Sequence, residues 1–66
     1  MRITVNGEVH EIGANTTIAE LLHQLEHRDD SVAVAVNLKF VPRAQRSQHM
    51  LREQDEVEIV APIAGG

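Results

Sequence analysis

Apolar and polar residues alternate at the start of the chain. Arg2-Ile3-Thr4-Val5 puts Ile3 and Val5 on one face and Arg2 and Thr4 on the other, the period of a half-buried strand. Asn6-Gly7 follows. This dipeptide suits a type I′ hairpin, because both central residues of that turn need positive φ. Glu8 to Ile12 reads as the returning strand. Val9 and Ile12 have opposite parity, so a bulge or a strand exit is expected near Glu11 or Ile12. Gly13-Ala14-Asn15-Thr16 is a loop, after which the period changes. Thr17-Ile18-Ala19-Glu20 has the form of a capping box. Ile18, Leu21, Leu22 and Leu25 then recur at i, i+3, i+4 and i+7, an apolar stripe on one side of a helix. The helix is expected to end near Arg28, whose charge suits a C-terminus, before Asp29-Asp30-Ser31.

Val32-Ala33-Val34-Ala35-Val36 alternates large with small, so the valines face the core and the alanines face outward. Asn37-Leu38-Lys39 turns the chain, and Phe40-Val41 is a short strand stopped by Pro42, which cannot donate to a ladder. Arg43 to His49 is polar and reads as a loop with a helical turn. Leu51 returns to the core, Gln54-Asp55 turns again, and Glu56-Val57-Glu58-Ile59 is the last strand. Strands on both sides of a single helix imply an α+β fold: a mixed sheet of four to five strands with the helix across one face. The last strand is expected beside the first, leaving the other sheet face open. The expected core is Ile3, Val5, Leu21, Leu22, Leu25, Val34, Val36, Leu51, Val57 and Ile59.

Composition narrows the functions available. With 66 residues the chain holds one domain, and 42% of it is apolar, with one Phe and no Trp, Tyr or Cys. A domain of this size buries only about 60% of its unfolded surface. It cannot build an enclosed catalytic pocket, which takes roughly 300–1,000 Å³. The missing cysteines exclude a disulfide scaffold, a thiolate zinc site and a thiol nucleophile. Six basic against ten acidic residues give a net charge of −4, the wrong sign for neutralising phosphates, and one aromatic supplies no stacking platform. Nucleic acid is therefore not an expected partner, and neither is a membrane, since the longest core-like run, Val32 to Val36, is far short of a span. Met1-Arg2 leads into alternating residues and not into an apolar secretion signal, so the expected location is the cytoplasm.

Candidate chemistry is sparse. His23 and His27 stand at i, i+4 as in helical metal pairs, but they lie opposite the leucine stripe with no third ligand, so no metal site is expected. Glu53, Asp55, Glu56 and Glu58 form an acidic cluster, which is either a solvated face or a steering patch for a basic partner. With Val57 and Ile59 inward, Glu58 and Val60 look outward beside Ala33 and Ala35. Together with Pro62 and Ile63 they form a candidate docking surface of small and apolar residues. Gly65-Gly66 stands out most, since a terminal pair arises by chance at about 0.5% when Gly is ~7% of residues. Two residues without Cβ let an extended tail thread a narrow channel and leave its terminal carbonyl unobstructed. An ionised carboxylate is a poor electrophile, so another enzyme would have to activate it, for instance by adenylation.

Val34-Ala35-Val36-Asn37, Phe40-Val41-Pro42-Arg43, Asp55-Glu56-Val57-Glu58-Ile59 and the final Gly65-Gly66 resemble the ThiS-type sulfur carriers of thiamin biosynthesis, within the ubiquitin-like β-grasp proteins. The resemblance spans the whole chain. Gln54 stands where many relatives carry Gly, and Leu38 is more apolar than that hairpin position usually is. The resemblance implies a β-grasp domain over 1–60 and a tail over 61–66. It implies a carrier without a catalytic site or bound cofactor. A ThiF-type adenylyltransferase would use ATP and Mg²⁺ to adenylate Gly66, and a persulfide donor would convert it to a thiocarboxylate. A ThiG-type thiazole synthase would accept the sulfur. Ile63, Ala64, Gly65 and Gly66 would thread into these partners, and Ala33, Ala35, Glu58, Val60 and Pro62 would form the docking surface. The small subunit of molybdopterin synthase shares the chemistry with a different acceptor. A TGS-like regulatory module is the alternative from another class, and a protein modifier that forms isopeptide bonds shares the adenylation step.

Overall fold

A computed structural model of the protein describes residues 1–27 and 31–61. Five strands, β1 (Arg2–Val5), β2 (Glu8–Glu11), β3 (Ala33–Val36), β4 (Lys39–Phe40) and β5 (Glu56–Val60), form one sheet in the order β2-β1-β5-β3-β4. β5 runs parallel to β1 and antiparallel to β3, and the two hairpins β1–β2 and β3–β4 are antiparallel. Among the described residues one α-helix, α1 (Ile18–Gln24), lies between β2 and β3 in sequence, and a 3-10 turn spans Arg43–Gln45. This is the α+β architecture the alternation implies, with the last strand beside the first.

The sheet and the helix meet through aliphatic side chains. Ile3, Val5, Ile18, Leu21, Leu22, Val34, Val36, Leu51, Val57 and Ile59 are buried, joined by Ile12 and Val41. Leu25 departs from expectation: it is only partly buried, because the helix stops before it. Thr17 opens α1 as a capping box. Its Oγ1 accepts from the Glu20 amide at 3.2 Å, and its own amide donates to Glu20 Oε1 at 2.9 Å. At the other end Leu25 is the cap and Glu26 takes φ 63°. The Glu26 amide donates to the His23 carbonyl and the His27 amide to the Leu22 carbonyl, which together make a Schellman closure. The helix therefore ends at Gln24 and not near Arg28, which itself lies outside the described residues. No glycine marks this stop, so the sequence carries no signal for it.

Both hairpins turn through two residues at positive φ, Asn6 (51°) with Gly7 (85°) and Asn37 (52°) with Leu38 (70°). The second corrects the expected three-residue turn. Asn37-Leu38 alone closes it, Val36 pairs with Lys39, and Phe40 lies opposite Ala35. A slip of one residue exchanges the faces of a strand, so Phe40 points with Ala35 to the open face and not into the core. β2 leaves the sheet at Glu11 and Ile12 turns inward, as the change of parity implied, while Val9 stays 62% exposed on the open face. In the connection read as polar, Arg46 is 3% exposed and its Nη2 donates to the Val32 carbonyl at 2.6 Å.

Two stability outcomes are expected. Leu22→Ala removes a side chain that is 1% exposed and should lower stability by about 2–5 kcal/mol, read from denaturant unfolding. A melting curve matching the parent would remove Leu22 from the core. Gln54 holds φ 69°, with its amide donating to the Arg2 carbonyl. A left-handed non-glycine residue costs roughly 1–2 kcal/mol, and glycine's extra unfolded-state freedom costs about 0.5–1 kcal/mol. Gln54→Gly should therefore stabilise the fold by ~0.5–1 kcal/mol, seen as a higher urea midpoint at unchanged slope.

Candidate functional site

The face of the sheet away from α1 carries the outward residues of every strand. Directly opposed residues in antiparallel strands share a face. Ala33 pairs with Val60, and Ala35 pairs with Glu58 on one side and Phe40 on the other. Ala33, Glu58 and Val60 are exposed and Ala35 is half-buried. Four of the five residues expected in the docking surface thus lie together on this face, while Pro62 lies outside the described residues. Ile63, Ala64, Gly65 and Gly66 also lie outside them, and β5 ends at Val60 just before this segment.

The sequence reading missed two members of this face. Phe40, the chain's single aromatic, is 66% exposed, and Leu38 at the neighbouring turn is 84% exposed. The length of the β3–β4 loop was the signal for Phe40: two residues bring it opposite Ala35, three would turn it inward. Leu38 and Val60 line one groove of about 740 Å³, together with Thr4, Asn6, Glu56 and Glu58. The groove is thus apolar at its ends and acidic along β5.

The acidic cluster divides. Asp55 is buried: its Oδ1 accepts from Asn37 Nδ2 at 3.0 Å and its Oδ2 from the Arg52 amide at 2.8 Å. Glu53 accepts from the Arg2 amide at 2.8 Å. Glu56 and Glu58 stand on the open face and Glu53 is exposed before β5, so three of the four carboxylates face solvent and Asp55 does not. His23 and His27 are exposed, and among the described residues no group of three or more His, Asp or Glu could hold a metal. No helix among the described residues is long and apolar enough to cross a membrane.

Comparison with known proteins gives a consistent result. The ThiS family profile matches residues 3–66, which takes in Gly65-Gly66. The chain is 38% identical over 66 residues to the sulfur carrier protein ThiS of Escherichia coli, covering all of both chains. It is also 38% identical over its whole length to part of the thiazole synthase of Paramagnetospirillum magneticum, where it spans 20% of that longer protein. The crystal structure of the thiamine biosynthesis protein ThiS from Geobacter metallireducens superposes with a TM-score of 0.86, at 26% identity and full coverage of both chains. The five-stranded mixed sheet with its single helix is accordingly the ubiquitin-like fold of that protein, and the chain belongs to the ThiS family.

Proposed function

We propose that this protein is a sulfur carrier for formation of the thiazole of thiamin, with the Gly66 carboxylate as the loaded group and no catalytic site of its own. The family match through residue 66, including both terminal glycines, is the observation that carries this reading. The division of labour is a folded domain over 1–60 for recognition and a tail over 61–66 for chemistry.

The chemistry follows from the carboxylate. Ionised, it resists attack by a nucleophile. A ThiF-type adenylyltransferase with ATP and Mg²⁺ joins it to AMP and releases pyrophosphate. The terminal sulfur of a donor's persulfide then attacks the carbonyl carbon and AMP leaves. A donor thiol attacks the remaining sulfur–sulfur bond, becomes part of a disulfide, and frees the thiocarboxylate. The absence of cysteine leaves no internal thiol to intercept the activated carbonyl. The acceptor is a ThiG-type thiazole synthase. The likeness to a fifth of two thiazole synthases supports it over the molybdopterin branch, since in those proteins such a segment is part of the synthase chain. Cytoplasmic residence follows from the need to meet ATP.

Ala33, Ala35, Glu58 and Val60 form the docking surface in this reading, and Ile63 to Gly66 thread into the partner. Incubation with ATP, the adenylyltransferase and a persulfide donor should raise the intact mass by the difference between a sulfur and an oxygen atom, with the shift confined to the C-terminal peptide. Deleting Gly66 should abolish the shift at an unchanged melting temperature. Sulfur on an internal side chain, or loading of the deletion variant, would sink the carrier reading. Ala35→Arg places a long charged side chain on the open face. It should weaken binding to both partners about tenfold or more while the fold persists, measured by calorimetric titration. Unchanged affinity for both would remove this face from the docking surface.

A further inference from the structure

Leu38 carries two unfavourable features at once. It is 84% exposed, the most exposed large apolar residue among those described, and it holds φ 70°. Positive φ at a bulky residue is strained and persists where the surroundings impose it. Here the two-residue turn between the paired Val36 and Lys39 imposes it, and Asn37 ties that turn to β5: its amide donates to the Glu56 carbonyl, its Oδ1 accepts from the Glu56 amide, and its Nδ2 reaches Asp55. The same chain shows the unstrained solution. Asn6-Gly7 makes a two-residue turn of matching φ signs, with glycine at the position Leu38 occupies in the other hairpin. Nothing in the fold calls for leucine there, because its side chain covers none of the core. It stands instead in the acidic groove that it lines together with Val60, Glu56 and Glu58.

Resting on the carrier reading above, we propose that Leu38 is an anchor for the adenylating enzyme, entering an apolar pocket on that enzyme bordered by Arg or Lys side chains that meet Glu56 and Glu58. The choice of partner follows from what each has to recognise. An unactivated C-terminal carboxylate is common to all proteins, so the enzyme that adenylates it must select its substrate by the folded surface. A thiocarboxylate is distinctive in itself, and the enzyme that consumes it relies less on that surface. Exposed apolar side chains continuous with a docking face supply such anchors, and the two glutamates supply charge complementarity.

The test turns on opposite signs in one variant. Leu38→Gly should raise the melting temperature by about 4 °C, since it relieves the turn. The same variant should weaken binding to the adenylating enzyme about tenfold by calorimetric titration, and slow sulfur loading in proportion. Leu38→Met keeps the apolar reach and the positive φ and should bind within about twofold of the parent. Affinity for the thiazole synthase should change by less than about twofold in both. Parent-like binding by Leu38→Gly would overturn the proposal, as would a lowered melting temperature or an equal loss toward the synthase. Failure of the parent chain to gain sulfur would overturn the carrier reading instead, and the affinity comparison would still decide the role of Leu38.

Discussion

Two asparagine side chains hold the central strand in register, and the rest of the structure depends on that register. Asn6 Nδ2 donates to the Ile59 carbonyl at 3.1 Å and Asn6 Oδ1 accepts from the Ile59 amide at 2.8 Å. Asn37 does the same for the other end of β5, through the Glu56 amide at 2.9 Å and the Asp55 carboxylate at 3.0 Å. β5 comes late in the chain and must insert between β1 and β3. Its ladder with β1 consists of two pairs, Thr4 with Glu56 and Val5 with Val57. That ladder alone specifies little; β3 adds four pairs, from Ala33 with Val60 to Val36 with Val57, and a slip of one residue would carry Val57 and Ile59 to solvent and Glu58 and Val60 into the core. The asparagines clamp β5 from both neighbouring hairpins and add to the β3 ladder in opposing that slip. Asn6 and Asn37 each occupy the first turn position at positive φ, where asparagine is tolerated. One residue thus closes a hairpin and fixes a strand distant in sequence.

The helix α1 depends on similar local devices. Seven residues are too few to persist alone in water, so α1 needs its capping box, its Schellman closure and the burial of Ile18, Leu21 and Leu22. Its brevity also sets the burial of the apolar stripe. Leu25 would complete the stripe in a longer helix, but the chain reverses there through Glu26 at φ 63°. Backbone strain in this protein gathers at such reversals: Asn15, Glu26, Leu38 and Gln54 all hold positive φ without being glycine. A small aliphatic core tolerates these costs only because each reversal brings another apolar segment onto the sheet.

Most of the fold was legible because its signals are periodic. The alternations at Ile3–Val5, Val32–Val36 and Val57–Ile59, and the helical stripe of leucines, identify faces without ambiguity. Asn6-Gly7 and Thr17 with Glu20 announced their turn and cap through residues chosen for those roles. The errors fall where the conformation is imposed from a distance. Leu38 and Glu26 take left-handed φ that their side chains do not favour, so nothing local marks the two-residue turn or the helix stop. Asp55 read as one of four surface carboxylates because its partners, Asn37 and the Arg52 amide, are identified only by tertiary structure. The open face of the sheet was legible in part for the same reason. Its β3 and β5 members follow from parity alone, whereas Phe40 depends on a loop length that one leucine obscured.

The carrier reading gives this topology a consequence for how partners are built. β5 supplies Glu58 and Val60 to the open face and continues directly through Ala61 toward the glycines. In the carrier reading, recognition and delivery thus meet at the end of β5, where Val60 on the open face precedes the segment that carries Gly66. Five residues beyond Ala61 can span at most about 18 Å even when fully extended. In the carrier reading, an enzyme that grips the face at Val60 and Ala33 must therefore place its reacting centre within that radius of Ala61. The adenylating enzyme and the synthase are subject to the same bound and need the same strand end. In the carrier reading, an enzyme seated on this face keeps the other from the same face, and the order of the two reactions then sets the order in which the face is occupied.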